Sequence, residues 1–309
     1  MAVGPASVAR ASLAGRATSR PRLLERESVF SWVMLAPGVL FLLAFVAYPF
    51  VYGIFISLQD RRVASPGTFV GLANFVAQAH DAVFWQVTRN TFIYTIVATF
   101  LKMTGGLAMA LVINQQFRGK NLARALLLLP FIVPTVLSTV AWMWIFDPTF
   151  SVINWTLRHT GLVTANFSWL GNATLAMVSI IIVNTWRGLP FYGITLLAGL
   201  QTISPDLYEA AAIDGASVTQ RFWHITIPVI KPVLIIVTMF SVIFTFSDFQ
   251  LPYILTHGGP ANATHLFATY AFDIGMSAGQ IGMGAAVALA MLPALGLLIV
   301  FLTLYLRRE

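Results

Sequence analysis

Three ionisable residues stand inside stretches that are otherwise free of charge: Lys102, Arg187 and Asp248. A charged group inside a bilayer is costly, so such residues face a cavity, a partner or water. Asp248 has two readings. It recognises a ligand hydroxyl or serves as a gate contact, or else it is a structural pair for Arg187 or another subunit. Arg187 could meet an anionic ligand or serve structure. Lys102 could snorkel, pair or touch the substrate. No catalytic constellation accompanies them. His80, His159, His224, His257 and His265 are scattered, and there is no cysteine. That excludes thiolate catalysis and cysteine metal sites. The phosphate-cradling pattern G-x-x-x-x-G-K-[ST] is missing too, since Gly119-Lys120 lacks both the upstream glycine and the following hydroxyl residue. The expectation is a chain with no catalytic residues and no metal or cofactor of its own.

The elements that must position these three groups are membrane spans. Of 309 residues, 58% are hydrophobic and 9% charged, against roughly 25% charged in soluble domains. Mean hydropathy is +0.81. So few charges exclude a soluble globular enzyme, a disordered chain and a nucleic-acid binder. A spanning helix needs about 20 apolar residues. Six runs qualify: 28–59, 90–117, 125–146, 174–200, 232–256 and 274–306. The second, fourth and fifth are interrupted once each, by Lys102, Arg187 and Asp248. The first is too long for the apolar core of a signal peptide. Residues 1–28 are rich in Arg, Ala, Ser and Gly and read as a disordered basic tail, with a transit peptide as the other reading.

Lys and Arg counted by loop set the orientation. Arg10, Arg16, Arg20, Arg22, Arg26, Arg118, Lys120, Arg124, Arg221, Lys231, Arg307 and Arg308 lie on one side. Only Arg61, Arg62 and Arg158 lie on the other. Both termini are therefore expected in the cytoplasm, and the net charge of +7 needs no polyanionic partner. Of the external segments, 148–173 is aromatic and Asn-rich, and is expected to hold a short interfacial helix.

One cytoplasmic loop, 201–231, is too long for a connector. Ser204 can cap a helix with Pro205 at its first position and Asp206 next. Gly215 suits a left-handed end, and Ser217 with Gln220 has capping-box spacing for a second helix. Pro228 and Pro232 are expected to end that helix before the next span. From physics alone this elbow is either an amphipathic hairpin or a docking site.

The stretch EAAAIDGASVTQRFWHITIP (209–228) resembles the cytoplasmic signature of the membrane subunits of binding-protein-dependent ABC importers. Glu209-Ala210-Ala211, Gly215, Ile225 and Pro228 stand at its fixed positions, with Asp214 beside the glycine and Ile227 replacing a leucine. Further likeness to the carbohydrate class, of maltose and glycerol-phosphate type, lies in Asn184-Thr185-Trp186-Arg187-Gly188-Leu189-Pro190-Phe191. It continues in Phe246-Ser247-Asp248-Phe249, and in Tyr253-Ile254-Leu255-Thr256 followed by Gly258-Gly259-Pro260. The resemblance implies an all-α, six-helix type I ABC importer permease over 29–309, with 201–231 as its cytoplasmic coupling-helix loop.

The resemblance further implies residues and partners. Glu209, Ala210, Ala211, Asp214, Gly215, Ile225 and Pro228 would couple to an ATPase. Asn184, Trp186, Arg187, Gly188, Phe191, Ser241, Phe244, Thr245 and Asp248 would line the substrate pathway. Thr245 and Arg187 depart from the larger maltose subunit. The implied partners are a second homologous permease subunit, two ATPase subunits carrying ATP and Mg, an external solute-binding protein and the lipid bilayer of a bacterial or archaeal cytoplasmic membrane. The expected cargo is a sugar, sugar derivative or polyol, with a phosphorylated polyol on Arg187 as the alternative. An ion-coupled secondary transporter is the reading from another class. It would call for paired acids or paired broken helices in two halves, and Asp248 has no counterpart.

Overall fold

The computed structural model describes residues 27–307. All but the last two residues of the expected tail, 1–28, lie outside them, as does Arg308. The chain divides into two units, Met1–Gly53 and Ile54–Glu309. The first holds α1 (Glu27–Leu42), a π turn (Leu43–Ala47) and most of α2 (Tyr48–Ser57). From Ser31 to Ser57 these make one apolar stretch long enough to cross a bilayer.

The second unit starts with the end of α2, followed by a two-stranded hairpin, β1 (Gln59–Asp60) and β2 (Thr68–Phe69), and the short helix α3 (Ala73–His80). Asn74 pins this segment by donating to the Ser57 and Gln59 carbonyls at 2.8 and 2.9 Å. Two long helices then form the centre of the unit. They are α4 (Ala82–Asn114), capped by Asp81, and α8 (Ala173–Leu200), capped by Asn172. Small residues let them approach closely, as in other membrane helix pairs. A Cβ on Gly106 would overlap Tyr192 Cβ, and one on Gly188 would overlap Lys102 Cδ.

The third apolar run is not one straight span. It forms α5 (Lys120–Ile132) and α6 (Thr135–Ile145), bent by 93° at Val133-Pro134. Pro134 cannot continue a helix begun before it, and it fixes the backbone from which α6 restarts. The five unbroken helices and this bent pair give up to six spans among the described residues. An amphipathic helix, α7 (Val152–His159), follows in the aromatic segment.

The chain then enters the elbow: α9 (Pro205–Ile213), α10 (Val218–Arg221), a π turn (Phe222–Thr226) and α11 (Ile227–Phe246). The expectation that Pro228 and Pro232 end the second elbow helix is wrong. Val218–Phe246 is a single 29-residue helix. At its π turn Ile227 donates to the Phe222 carbonyl, five residues back. That wider register sits just where the ladder must accommodate Pro228.

The fifth run is interrupted at Ser247–Phe249 and resumes as α12 (Gln250–Thr256). The sixth is led by α13 (Phe267–Phe272), a π turn (Asp273–Ser277) and a bend, before α14 (Ile281–Arg307). The intervening loop folds back onto α4, where Asn90 donates to Asn262 O at 2.9 Å and Gln86 to Ala261 O at 3.1 Å. Tyr270 donates to Asp81 Oδ2 at 2.7 Å. Burial, and then Asp81 itself, push the Tyr270 hydroxyl up. It therefore stays a proton donor and ties α13 to the cap of α4.

Candidate functional site: a polar-walled cavity and an elbow

A cavity of about 490 Å³ opens beside the bend in the third span, within the usual range for small-molecule sites. Phe131 and Thr135 line it at the bend. Asn184, Arg187, Gly188, Phe191 and Tyr192 line it from α8, and Ser241, Phe244 and Thr245 from α11. The α11–α12 junction adds Ser247, Asp248, Phe249 and Gln250, and α4 adds Lys102. Phe131 and Phe191 stack at 5.9 Å.

Eight of the nine pathway residues named from sequence lie here; Trp186 does not. Asn184, Arg187, Gly188 and Phe191 fall at i, i+3, i+4 and i+7, on one helical face. Trp186, two residues beyond Asn184, turns away and packs edge-on against Trp142 of α6 at 5.5 Å.

The charged groups are arranged differently from the pair considered for Arg187 and Asp248. Arg187 Nη2 donates to Thr135 Oγ1 at 2.6 Å, across the bend. Asp248 Oδ2 accepts from Tyr94 OH at 2.7 Å and from Asn184 Nδ2 at 3.1 Å. Its Oδ1 accepts from Leu251 N at 3.4 Å. Lys102 Nζ donates to Asn184 Oδ1 at 2.8 Å and Thr245 Oγ1 at 2.7 Å. The Lys102 stem runs over Gly188, so the absent side chain there admits the lysine. Lys102 and Asp248, both buried, are thus joined through one amide, which offsets the desolvation of both. Reading the sequence did not single out Tyr94, Thr135 or Tyr192. Tyr94 and Lys102 are eight residues apart, near enough to two turns to share a face of α4, and this was the available signal.

The elbow is built from local chemistry. Ser204 caps α9, with Pro205 in the first turn. Gly215 has φ +80°. Its N–H reaches the Ala212 carbonyl, and the Ala216 N–H reaches that of Ala211, the double closure of a Schellman motif. Ser217 and Gln220 form the capping box of α10. Glu209, Ala210, Asp214, Gly215 and Pro228 are exposed, while Ala211 and Ile225 are half-buried. Exposed Leu207, Ile213 and Val218 add apolar surface around the turn. Tyr208 and Thr226 share a 2.8 Å hydrogen bond that fastens α9 to the base of α11.

Residues 102–309 match the family described as the binding-protein-dependent transport system inner membrane component. The chain belongs to this family. It is therefore a multi-pass permease component, with the membrane spans and elbow described above. Family membership also sets aside the ion-coupled reading. Among its relatives is the trehalose/maltose transport system permease protein of Thermococcus litoralis, 36% identical over 269 residues, which cover 87% of this chain and 90% of the relative. The lactose transport system permease protein of Rhizobium radiobacter is 35% identical, with 83% and 87% covered. The diacetylchitobiose uptake system permease protein of Streptomyces coelicolor is 32% identical, with 99% and 96% covered. In three dimensions the chain is similar to a chain of a bacterial ABC transporter involved in alginate import. The TM-score is 0.80 at 21% identity, over 92% of this chain and 97% of that one. That likeness establishes the importer-permease fold.

Proposed function

We propose that this permease forms part of the translocation pathway for a neutral sugar, sugar derivative or polyol, delivered by an external binding protein. Its partners are a second homologous permease subunit and two ATPase subunits that carry ATP and Mg. The observation that carries the cargo reading is the cavity, which combines stacked aromatic rings with short hydroxyl and amide groups. Sugar rings stack on such faces and sugar hydroxyls need such partners. The sugars named for the trehalose/maltose, lactose and diacetylchitobiose relatives support it.

The mechanism is a two-state equilibrium biased from both faces. ATP-driven closure of the ATPase pair pulls on the elbow, and the continuous helix from Val218 to Phe246 carries that movement to Ser241, Phe244 and Thr245. Hydrolysis resets the cavity toward the cytoplasm. The test is reconstitution of the whole complex in liposomes, with labelled trehalose, maltose and lactose as probes. Uptake is expected to require ATP and to survive collapse of ion gradients; uptake that follows an ion gradient would overturn the reading.

Two further outcomes are expected. Reporter fusions after Glu309 and within 257–279 should give opposite-side signals, with the C-terminus cytoplasmic, because the basic residues are so unequally divided between the two sides. Signals from the same side would refute that topology. For Arg187→Gln, a neutral cargo predicts less folded protein and an unchanged KM for uptake, since Arg187 holds Thr135 at the bend. An anionic cargo would instead lose a charge-assisted contact of about 1.5–3 kcal/mol. Affinity would then fall about ten- to a hundredfold at normal abundance, and phosphorylated polyols would move to first place.

A further inference from the structure

Besides Ser247, Gln250 and Arg187, whose Nη2 is bonded to Thr135 while its Nε has no partner, two sets of polar groups at or behind the cavity wall differ in state. Lys102, Asn184, Thr245, Asp248 and Tyr94 are already bonded to one another. Both ends of the Asn184 amide are engaged, its oxygen by the cation and its nitrogen by the carboxylate. Thr245 accepts from Lys102. The second set is Tyr192 and Ser241, which are 0% and 4% exposed. Neither the Tyr192 hydroxyl nor the Ser241 hydroxyl makes a hydrogen bond of good geometry, although the two lie near each other and near Thr238. They come from different helices, α8 and α11, yet line the same cavity. Buried hydroxyls without partners are uncommon and costly. Those on the wall of a transport cavity gain partners when a hydroxyl-bearing guest arrives. Tyr192 cannot withdraw, because its Cβ lies against Gly106.

Resting on the sugar or polyol reading above, we propose that Lys102 is a positioning residue, neutralised by Asp248 through Asn184, that withdraws Asn184 from ligand contact. Tyr192 and Ser241 then receive the ligand's hydroxyl groups. Asn184 is the residue that the family resemblance places on the ligand. Here its amide is spent on holding α4, α8 and the α11–α12 junction together. Ligand discrimination passes to a tyrosine that the sequence motif does not mark.

The test uses cells of the source organism in which each variant replaces the native chain. Uptake of labelled trehalose, maltose and lactose is normalised to the amount of this chain in the membrane. Tyr192→Phe removes one oxygen and keeps the ring. It is expected to raise KM about five- to twentyfold, with the maximal rate per protein within about twofold, in line with one lost hydrogen bond to a buried group. Lys102→Met should cut membrane protein severalfold by stranding Asp248. Adding Asp248→Asn to Lys102→Met should restore at least half of that loss. A KM unchanged in Tyr192→Phe would overturn the ligand assignment. A double variant no more abundant than Lys102→Met would overturn the role of Lys102. If cells with the native chain take up none of the three sugars above a deletion background, the sugar reading fails, and this inference fails with it.

Discussion

Gly215→Asp should leave the permease in the membrane and strip it of its ATPase. Gly215 ends α9 at φ +80°, a conformation that costs other residues about 1–2 kcal/mol. No atom lies within 4 Å of where its Cβ would be. The local fold therefore has room for a side chain there. Aspartate adds both backbone strain and a charge on that exposed turn. Recovery of the ATPase subunits in a pull-down is expected to fall more than tenfold, and uptake with it. Gly215→Asn is the control for strain, because asparagine tolerates the left-handed region. If docking is close, it too should weaken recovery. Full ATPase recovery and normal uptake in Gly215→Asp would remove the elbow from the coupling role.

Gly106→Ala should damage the molecule at its centre. The added methyl would overlap Tyr192 Cβ and come within 3.3 Å of the Gly193 backbone nitrogen. Neither atom is the free end of a flexible chain, so α4 and α8 must separate. Overpacking of this kind costs about 1–3 kcal/mol. Separation also lengthens the Lys102–Asn184 hydrogen bond, which spans the same two helices. A clear fall in thermal midpoint of the purified complex is expected, together with lower abundance. An unchanged midpoint would show that the seam has slack that its close contacts do not suggest.

How much of this was legible in the sequence depended on the range over which each feature is decided. The elbow was readable because caps are local. Ser204 acts on Asp206, Ser217 on Gln220, and the Gly215 turn closes on residues no more than five back. The spans were readable as apolar runs, since length and composition alone make a helix fit a bilayer. The bend at Val133-Pro134 was not, because apolarity is blind to direction. Pro130 lies inside α5 without breaking it, while Pro134 marks a 93° turn. The same blindness misjudged Pro228, where a π turn keeps the helix continuous. Most of the cavity set came from the family resemblance, and its α8 members Asn184, Arg187, Gly188 and Phe191 share one helical face. Trp186, taken from the same motif, lies off that face, outside this cavity and against Trp142. The Lys102–Asn184 bond joins residues 82 apart in the chain, and no local pattern signals that meeting.

The unbroken helix from Val218 to Phe246 has a mechanical consequence. Its 29 residues, at a rise of 1.5 Å each, make a rod of roughly 43 Å. Tyr208 clamps its base to the elbow, while Ser241, Phe244 and Thr245 ride near its tip. Pivoted at the base, a tilt of about 5° sweeps the tip through about 4 Å, given that rod length. That is wider than a water molecule and close to the thickness of a sugar ring. With so long an arm, a few degrees of rotation at the base give a clearance of this size at the cavity, and the helix itself need not deform.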